Sequence, residues 1–335
     1  MVIDALFKAL ADPTRLRIAR LLSAMELAVG ELAQVLGQSQ PRVSRHVGIL
    51  CDAGLAERRR EGSWVFLRAV SGEDAGPVLA ALDRLLATAE AENGEFAKVC
   101  VDDRRKLAAI RQAREANAEQ YFAQHASEWD ELRALHTPEV QVEEQLIKAL
   151  NEDSLGCMLD IGTGTGRMAE LFADHADHIN ALDKNVEMLR VARAKLQHLP
   201  ASKVDLVQGD FADLPFAAAS FDTVLLHQVL HFAPDPAIPL TEAARVTKAG
   251  GRIAIVDFAA HEHEELRDRH QHARLGFTDD QMRALLRAAG FTPEKPHALD
   301  GGELVVKIWI GKRPNDPLGA VPDSALDTPA KKLEL

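Results

Sequence analysis

Three carboxylates and a run of glycines stand at the ends of predicted strands in the second half of the chain. Asp160 precedes a loop of sequence GTGTG, residues 162–166, between a predicted strand and a predicted helix. Glycines there permit a tight turn and a close approach of the backbone to a ligand. Asp183 ends the next strand, and Asp210, directly before Phe211, ends the one after it. We therefore expect these side chains to surround one cleft.

Glycine loops also occur in proteins that bind NAD or FAD, so the ligand must be inferred from details. The spacing here is G-x-G-x-G, without the further residues that begin a pyrophosphate-binding helix. Asp160 would repel a pyrophosphate but suits a cation, and Asp183, 17 residues beyond Gly166, can accept both hydroxyls of a ribose. Three carboxylates around a cleft suit a ligand with a positive sulfonium, a ribose and an adenine edge.

Residues from about 120 to 312 resemble the class I S-adenosylmethionine-dependent methyltransferases. The matching stretches are LDIGTGTGRMAEL, NALDKNVEML, VQGDFADLPF, FDTVLLHQVLHF and TEAARVTKAGGRIAIVDF. The resemblance implies S-adenosylmethionine, or S-adenosylhomocysteine as bound ligand. It implies that the first motif holds the methionine part through Asp160, Gly162, Gly164 and Gly166. It also implies that Asp183 takes the ribose, Asp210 and Phe211 read the adenine, and His227 lies by the methionine end.

The residues directly after the fourth predicted strand narrow the choice of methyl acceptor. DNA-base amine methylation in this fold uses an Asn/Asp-Pro-Pro-aromatic motif, where this chain has HQVL from His227. Cytosine C5 chemistry needs a Pro-Cys nucleophile, and arsenite methylation needs several cysteines where this region has Cys157 alone. The remaining resemblance is to the methyltransferases of ubiquinone biosynthesis, which act on small molecules. Positioning can carry methyl transfer, so the catalytic residue stays unassigned, with His227 or His231 as either base or structural residues.

Two further patterns border this region. YFAQHASEWDEL resembles the lid helix that precedes the first strand in many such enzymes, where Tyr121 either contacts the ligand or packs as a core aromatic. A doubled His-x-His pattern invites a metal-site interpretation, but the region is predicted as a loop and then a helix. We therefore expect a substrate-facing or solvated cluster and no metal site at His261, His263, His270 and His272.

The first 70 residues are predicted as short helices before a hairpin. Asp12-Pro13 begins one helix, a second spans roughly residues 29–36 up to Gly37, and Ser39 caps a third. The runs LAERRR and WVFLRA then flank a turn at residues 61–63. This order predicts a helix-turn-helix with a β wing.

The third of these helices has one apolar side and one side suited to DNA. Val43, Val47 and Leu50 would pack inward, and the exposed set would be Gln40, Arg42, Ser44 and Arg45. Arginine and glutamine suit guanine and adenine edges in the major groove. In the hairpin, phosphate or minor-groove contacts are expected from Arg58, Arg59 and Arg60. The alternative is a solvated charged face on a small bundle.

These segments resemble the ArsR family of winged-helix repressors over about 90 residues. The matching stretches are LFKALADPTRLRIARLL, ELAQVLGQSQPRVSRHVGIL and CDAGLAERRREGSWVFLRA. The resemblance implies a homodimer, formed by the first helix and the helix near 77–90, that binds double-stranded palindromic operator DNA. The chain departs from metal-sensing members, because ELAV from Glu26 replaces their Cys-x-Cys pair and 77–90 has no histidine. Cys51 is expected to be a buried apolar residue.

Charge and composition agree with two joined modules. Residues 1–70 have a net charge of +3 and the remaining residues have a net charge of −15. These charges are compatible with a small basic DNA-binding module attached to an acidic domain. Cys51, Cys100 and Cys157 are too widely spaced for a disulfide framework or a zinc site. No apolar run approaches a membrane span, and the N-terminus lacks signal-peptide features, so a cytoplasmic location is expected.

The sequence thus predicts an α/β protein of two domains. We expect a winged helix-turn-helix domain (α+β) at 1–95, a helical connector and lid at 96–135, and a disordered tail at 313–335. Residues 136–312 should form a Rossmann-like methyltransferase domain with a mainly parallel seven-stranded sheet and a terminal antiparallel strand. The expected function is a DNA-binding regulator that methylates a small molecule, or alternatively a non-catalytic sensor of S-adenosylmethionine or S-adenosylhomocysteine.

Overall fold

The N-terminal unit is a set of four short helices with a small sheet. The computed structural model describes residues 3–24, 27–61, 64–70, 76–126, 128–129, 139–150, 154–200, 202–299 and 304–315. The four helices are α1 (Ile3–Leu10), α2 (Pro13–Ala24), α3 (Val29–Leu36) and α4 (Gln40–Asp52). Strands β1 (Leu27–Ala28), β2 (Ala56–Glu61) and β3 (Trp64–Ala69) form an antiparallel sheet in the order β1-β3-β2. The predicted helix-turn-helix and hairpin are confirmed, and β1 is an addition.

Local signals set the helix ends of this unit. Pro13 opens α2, and the Asp12 carboxylate accepts the Arg15 backbone N–H at 3.1 Å. Gly37 closes α3 in the left-handed conformation, with φ of 63°. On α4, the buried side chains are Val43, Val47 and Leu50, as its apolar spacing predicts.

Two helices come next along the chain, and the second is unusually long. Helix α5 spans Gly76–Glu92, and α6 runs without interruption over Gly94–His125. Asn93 separates the two, because its side chain accepts the backbone N–H groups of Glu95 and Phe96, both at 3.1 Å.

The first half of α6 belongs to the core of the N-terminal unit. Leu107 is 3% exposed and packs in the same apolar cluster as α2, α3 and α4. Asp103 is 2% exposed and binds Arg17 of α2 through two hydrogen bonds, Nε to Oδ2 at 2.7 Å and Nη2 to Oδ1 at 2.6 Å. In addition to the helical connector and lid predicted for 96–135, the first half of α6 is therefore a core element of the N-terminal unit.

The C-terminal unit alternates strands and helices. Its helices are α7 (Glu139–Leu150), α8 (Arg167–Phe172), α9 (Val186–Lys195), α10 (Ala237–Val246), α11 (Glu265–His270) and α12 (Asp279–Ala288). Its strands are β4 (Cys157–Ile161), β5 (His178–Asp183), β6 (Val204–Gln208), β7 (Phe221–His227), β8 (Thr247–Phe258), β9 (Thr292–Pro293), β10 (His297–Leu299) and β11 (Val306–Lys312).

One sheet carries this unit, in the order β10-β11-β8-β7-β4-β5-β6, and β9 also pairs with β11. The five neighbouring strands β6, β5, β4, β7 and β8 are parallel to one another. Strand β11 runs antiparallel to β8, and β9 and β10 each pair antiparallel with β11. The predicted seven-stranded, mainly parallel sheet is confirmed, with the two-residue β9 as an eighth strand. The chain reverses its direction of winding between β4 and β7, the place where such sheets open a crevice for ligands.

The predicted lid and tail are covered only in part by the described residues. Of the predicted lid helix near 120–132, the residues up to His125 form the end of α6, and 127 and 130–135 lie outside the described residues. The predicted disordered tail lies outside them from residue 316 onward. No helix among the described segments is long and apolar enough to cross a membrane.

The turn after β4 depends on one glycine that tolerates no side chain. Gly162 has φ of 72°, and a Cβ built there would lie 2.5 Å from Cγ2 of Val229. The turn brings the Gly162 and Thr163 backbone N–H groups to the Leu182 carbonyl, at 2.7 and 2.9 Å. The loop is thereby fixed between β4 and β5.

We expect Gly162→Ala to lower the free energy of unfolding by about 3 kcal/mol, since left-handed strain adds to the steric clash. Gly290→Ala is the matched control, because Gly290 has φ of 90° with no atom within 4 Å of its Cβ position. That variant should lose only about 1–2 kcal/mol from strain. Urea unfolding measures both, and adding Val229→Ala to Gly162→Ala should recover the steric part. Equal losses in the two glycine variants would contradict this account.

Candidate functional site

The ends of β4, β5, β6 and β7 surround a single cavity of about 470 Å³. Its lining includes the predicted set Asp160, Gly162, Gly164, Asp183, Asp210, Phe211 and His227. Gly166 is not part of that lining; it caps the start of α8 with φ of 84°. A Cβ there would lie 2.9 Å from Cδ1 of Leu196, so Gly166 permits close packing of the loop on α9 and its following turn.

Asp183 joins the glycine loop to the start of α9. Its Oδ2 accepts the Gly164 backbone N–H at 2.8 Å, and its Oδ1 accepts the Asn185 backbone N–H at 2.8 Å. Burial raises the pKa of this carboxyl, and the backbone donors oppose that rise. A carboxylate has about four acceptor positions, so each oxygen can still accept one hydroxyl from a ligand.

Asp210 lies just after β6, the strand next to β5, and also lines the cavity. Lys184 Nζ lies 3.0 Å from Asp210 Oδ2 and 3.3 Å from Glu119 Oε1 of α6. The Asp210 Oδ1 accepts the Ala212 backbone N–H at 2.8 Å. Phe211 packs against the apolar cluster beneath, so its half-buried ring forms a flat wall next to this carboxylate.

The inner end of the cavity is lined by the loop itself. Asp160 is fully buried, as the last but one residue of β4. Thr163 is 7% exposed, and none of the described residues hydrogen-bonds its hydroxyl. A buried hydroxyl of this kind costs free energy until it gains a partner, so Thr163 marks a place where a polar ligand group would be stabilised.

The two histidines considered as bases occupy different environments. His227, at the end of β7, lines the cavity. His231 is 2% exposed, and its Nδ1 lies 2.8 Å from Oδ1 of the fully buried Asp257. Asp257 also accepts the His231 backbone N–H at 3.1 Å. His231 is not among the residues that line the cavity, and its pairing with Asp257 favours the structural one of the two roles considered for it.

Of the doubled His-x-His pattern, one histidine reaches the cavity. His272 lines it, is 9% exposed, and packs against His231 in a tilted arrangement with ring centroids 4.2 Å apart. His270 Nδ1 lies 2.8 Å from the Tyr121 hydroxyl, which ties Tyr121 to the end of α11. Within the described segments no group of three or more His, Cys, Asp or Glu side chains is arranged to hold a metal ion.

The cavity wall also includes residues that sequence reasoning did not place there. Glu31 of α3 and Phe66 of β3 line it, although both belong to the N-terminal unit. Phe66 lies under the guanidinium of Arg274, whose Cζ is 4.1 Å from the ring centroid. Contacts between such distant parts of the chain leave no periodic signal in the sequence.

Helix α4 of the N-terminal unit carries the predicted DNA-facing set. Gln40, Arg42, Ser44 and Arg45 are all exposed on this helix. Cys51, expected to be buried, is half-buried, and burial raises the pKa of its thiol. It lies beside Arg58, whose Nη2 is 3.2 Å from the position of a Cβ on Gly48.

The wing arginines lie along β2. The register pairs Arg58 with Leu67, Arg59 with Phe66, and Arg60 with Val65. Side chains alternate between the two faces of a strand, so Arg58 and Arg60 share one face. Arg58 and Arg60 are exposed, and the Arg59 side chain lies outside the described ones.

Comparison with known proteins finds a separate family for each unit. Residues 159–255 match the family model described as a methyltransferase domain. A demethylmenaquinone methyltransferase of Renibacterium salmoninarum is 32% identical over 146 residues, which cover 42% of this chain and 54% of that protein. The solved 1,6-didemethyltoxoflavin-N1-methyltransferase of Burkholderia thailandensis aligns over 60% of this chain and 89% of its own, with 20% identity and a TM-score of 0.48.

The N-terminal unit has separate relatives. Residues 12–58 match the family model described as bacterial regulatory protein, arsR family. The arsenical resistance operon repressor of Escherichia coli K12 is 52% identical over 64 residues, which cover 19% of this chain and 55% of the repressor. The chain thus spans about half the length of these two curated relatives. In this protein, an ArsR-family helix-turn-helix segment and a methyltransferase domain are joined in a single chain.

Proposed function

We propose that the protein is a DNA-binding transcriptional regulator whose methyltransferase domain binds S-adenosylmethionine and methylates a small molecule. The observation that carries the proposal is the joint presence of two sites in one chain. One is the glycine loop with Asp160, Asp183 and Asp210 around a single cavity. The other is the exposed polar face of α4.

The cavity residues fit S-adenosylmethionine. Asp160 and the glycine loop would hold the methionine part and favour its positive sulfonium, while the Thr163 hydroxyl offers a polar partner. Asp183 has acceptor positions left for two ribose hydroxyls. Asp210 and Phe211 would bind the adenine, the first through its carboxylate and the second through its aromatic ring. His227 would lie by the methionine end.

Bound S-adenosylmethionine supplies an electrophilic methyl group. The protein's own contribution is to hold the acceptor in line with that methyl and to exclude water, which can lower the barrier by about 7–11 kcal/mol. His227 and His272 are the imidazoles on the cavity wall that can hydrogen-bond an acceptor. The relatives named as demethylmenaquinone methyltransferases support a small-molecule acceptor.

Operator binding by a homodimer is the other half of the proposal. The ArsR-family match supports it. The described surface of α1 and α5 carries large exposed apolar side chains, namely Ile3, Phe7, Val78 and Leu85. Large apolar side chains exposed on helices are typical of protein interfaces, and pairing two α4 helices would match a palindromic operator.

A sensor without an acceptor is the second candidate. Glu31 and Phe66 favour it, since a ligand in the cavity would touch the unit that carries α4. Radiolabelled S-adenosylmethionine incubated with the protein and a small-molecule extract separates the two functions. Transfer of label to a small molecule supports the regulator with activity, and tight binding without any transfer supports the sensor.

Asp183→Ala should lower affinity for S-adenosylhomocysteine at least about tenfold, because hydrogen bonds to a charged acceptor contribute roughly 1.5–3 kcal/mol each. Calorimetry measures the affinity, with Asp174→Ala, an exposed carboxylate beyond α8, as the matched control. In the unmodified protein the affinity should also fall on acidification, starting above the usual aspartate range because the pKa of Asp183 is raised. Unchanged affinity in Asp183→Ala would mean that the ribose lies elsewhere.

Arg45→Ala should weaken binding to a preferred DNA duplex by about 1–3 kcal/mol, because it removes a base contact. Arg60→Ala should weaken binding to all duplexes and reduce the salt slope by about one, as for a phosphate contact. The duplex is first selected from a random library with the unmodified protein, and fluorescence anisotropy then gives the affinities. Arg283→Ala, at an exposed arginine of α12, is the control. If the Arg45→Ala variant binds the duplex as tightly as the Arg283→Ala variant does, α4 is not the DNA-recognition helix.

A further inference from the structure

Beyond the glycine loop the cavity is lined by a cluster of aromatic rings. Trp129 lies next to the loop, because its Nε1 is 3.7 Å from the Cβ position of Gly164. Its ring centroid is 5.3 Å from that of Phe122 of α6 and 6.4 Å from that of Phe232, and the Phe122 and Phe232 centroids are 4.8 Å apart. The His272 ring centroid lies 5.3 Å from that of Phe232. All four side chains line the cavity, and these contacts are edge-to-face except the tilted one between Trp129 and Phe232.

Part of the cavity wall beyond these rings comes from the N-terminal unit. Phe66 and Glu31 line the cavity, as does Ala273, the neighbour of His272 and Arg274. Arg274 is 1% exposed; its backbone N–H donates to the His231 carbonyl at 2.9 Å and its Nε to the Pro234 carbonyl at 3.1 Å. A guanidinium anchored in this way over the Phe66 ring holds that ring in place.

The polar groups in this part of the cavity are few and directional. Arg267 lines the cavity and donates from Nη1 to the Ala273 carbonyl at 2.6 Å. The His272 imidazole packs against two rings: it is tilted against His231 and stacked on Phe258, whose ring centroid is 5.8 Å away. Gln271 adds an amide. Ring edges favour the face of another aromatic ring, and the imidazole, amide and guanidinium can all hydrogen-bond an oxygen.

We propose that this part of the cavity is an acceptor subsite built by both units, with Phe66 as its wall from the winged helix. The ligand class is a planar aromatic molecule that carries a hydroxyl group. The inference rests on the proposed function, since it places the acceptor in the cavity that holds S-adenosylmethionine. It adds that the acceptor is recognised in part by the DNA-binding unit.

The probe is 2-naphthol, and its saturated analogue decahydro-2-naphthol is the matched control ligand. Calorimetry measures both, with and without saturating S-adenosylhomocysteine. We expect 2-naphthol to bind and the saturated analogue to bind about threefold to tenfold more weakly, as the loss of aromatic contacts requires. If S-adenosylhomocysteine binds but the two probes bind equally or not at all, the proposed acceptor subsite is wrong, while the proposed cofactor site remains supported. If S-adenosylhomocysteine itself fails to bind, the proposed function fails and the inference falls with it.

The contribution of the winged helix is tested with Phe66→Leu. This change should weaken 2-naphthol binding about threefold to tenfold, from the lost ring contact, and leave S-adenosylhomocysteine affinity unchanged. Phe96→Leu, in the first turn of α6 and outside the cavity lining, is the control variant. Thermal unfolding checks the fold, and Phe66→Met replaces Phe66→Leu if the latter unfolds. If the folded Phe66 variant binds 2-naphthol as tightly as the unmodified protein does, the proposal that Phe66 forms part of the subsite is wrong.

Discussion

Helix α6 is the element on which both units pack, and its continuity constrains everything else. Its 32 residues correspond to about 48 Å of unbroken helix at 1.5 Å per residue. Near one end, Leu107 fills the core of the helix-turn-helix unit and Asp103 is clamped to Arg17. Toward the other end, Glu119 and Phe122 reach the cavity. Because α6 is held by both units, any shift of the helix that follows one unit also moves it relative to the other.

The contacts at the cavity end of α6 involve the residues next to Asp183. The Asn185 side-chain amide donates to the Glu119 carbonyl at 3.0 Å, and Lys184 bridges Glu119 to Asp210. A ligand that orders Asp183 and Asp210 would therefore also fix the end of α6. The stack of Arg274 on Phe66 forms a second connection, closer to the wing. Two such contacts give ligand binding a physical route to α4.

The sequence was most informative where structure depends on nearby residues. The glycine loop, the strand-end carboxylates and the apolar side of α4 can be predicted from spacing and turn chemistry, and the structure brings the carboxylates to one cavity. It was least informative where burial depends on distant partners. Asp103 looks like one more charge on a polar helix until Arg17 folds against it. His231 resembles a candidate base until Asp257 buries it, and Phe66 resembles an ordinary strand residue until Arg274 covers it.

Coupling of cavity occupancy to DNA binding through α6 is the property on which this account depends most. The direct measurement titrates the selected DNA duplex into the protein at several fixed concentrations of S-adenosylmethionine and of S-adenosylhomocysteine. Typical coupling free energies are about 1–3 kcal/mol, which predict a shift in duplex affinity of roughly 5- to 150-fold for at least one ligand. Asp103→Asn, which weakens the clamp between α6 and α2, should reduce that shift while the ligand still binds. A duplex titration curve that neither ligand moves, in protein shown to bind both, would contradict the account and leave two tethered but independent units.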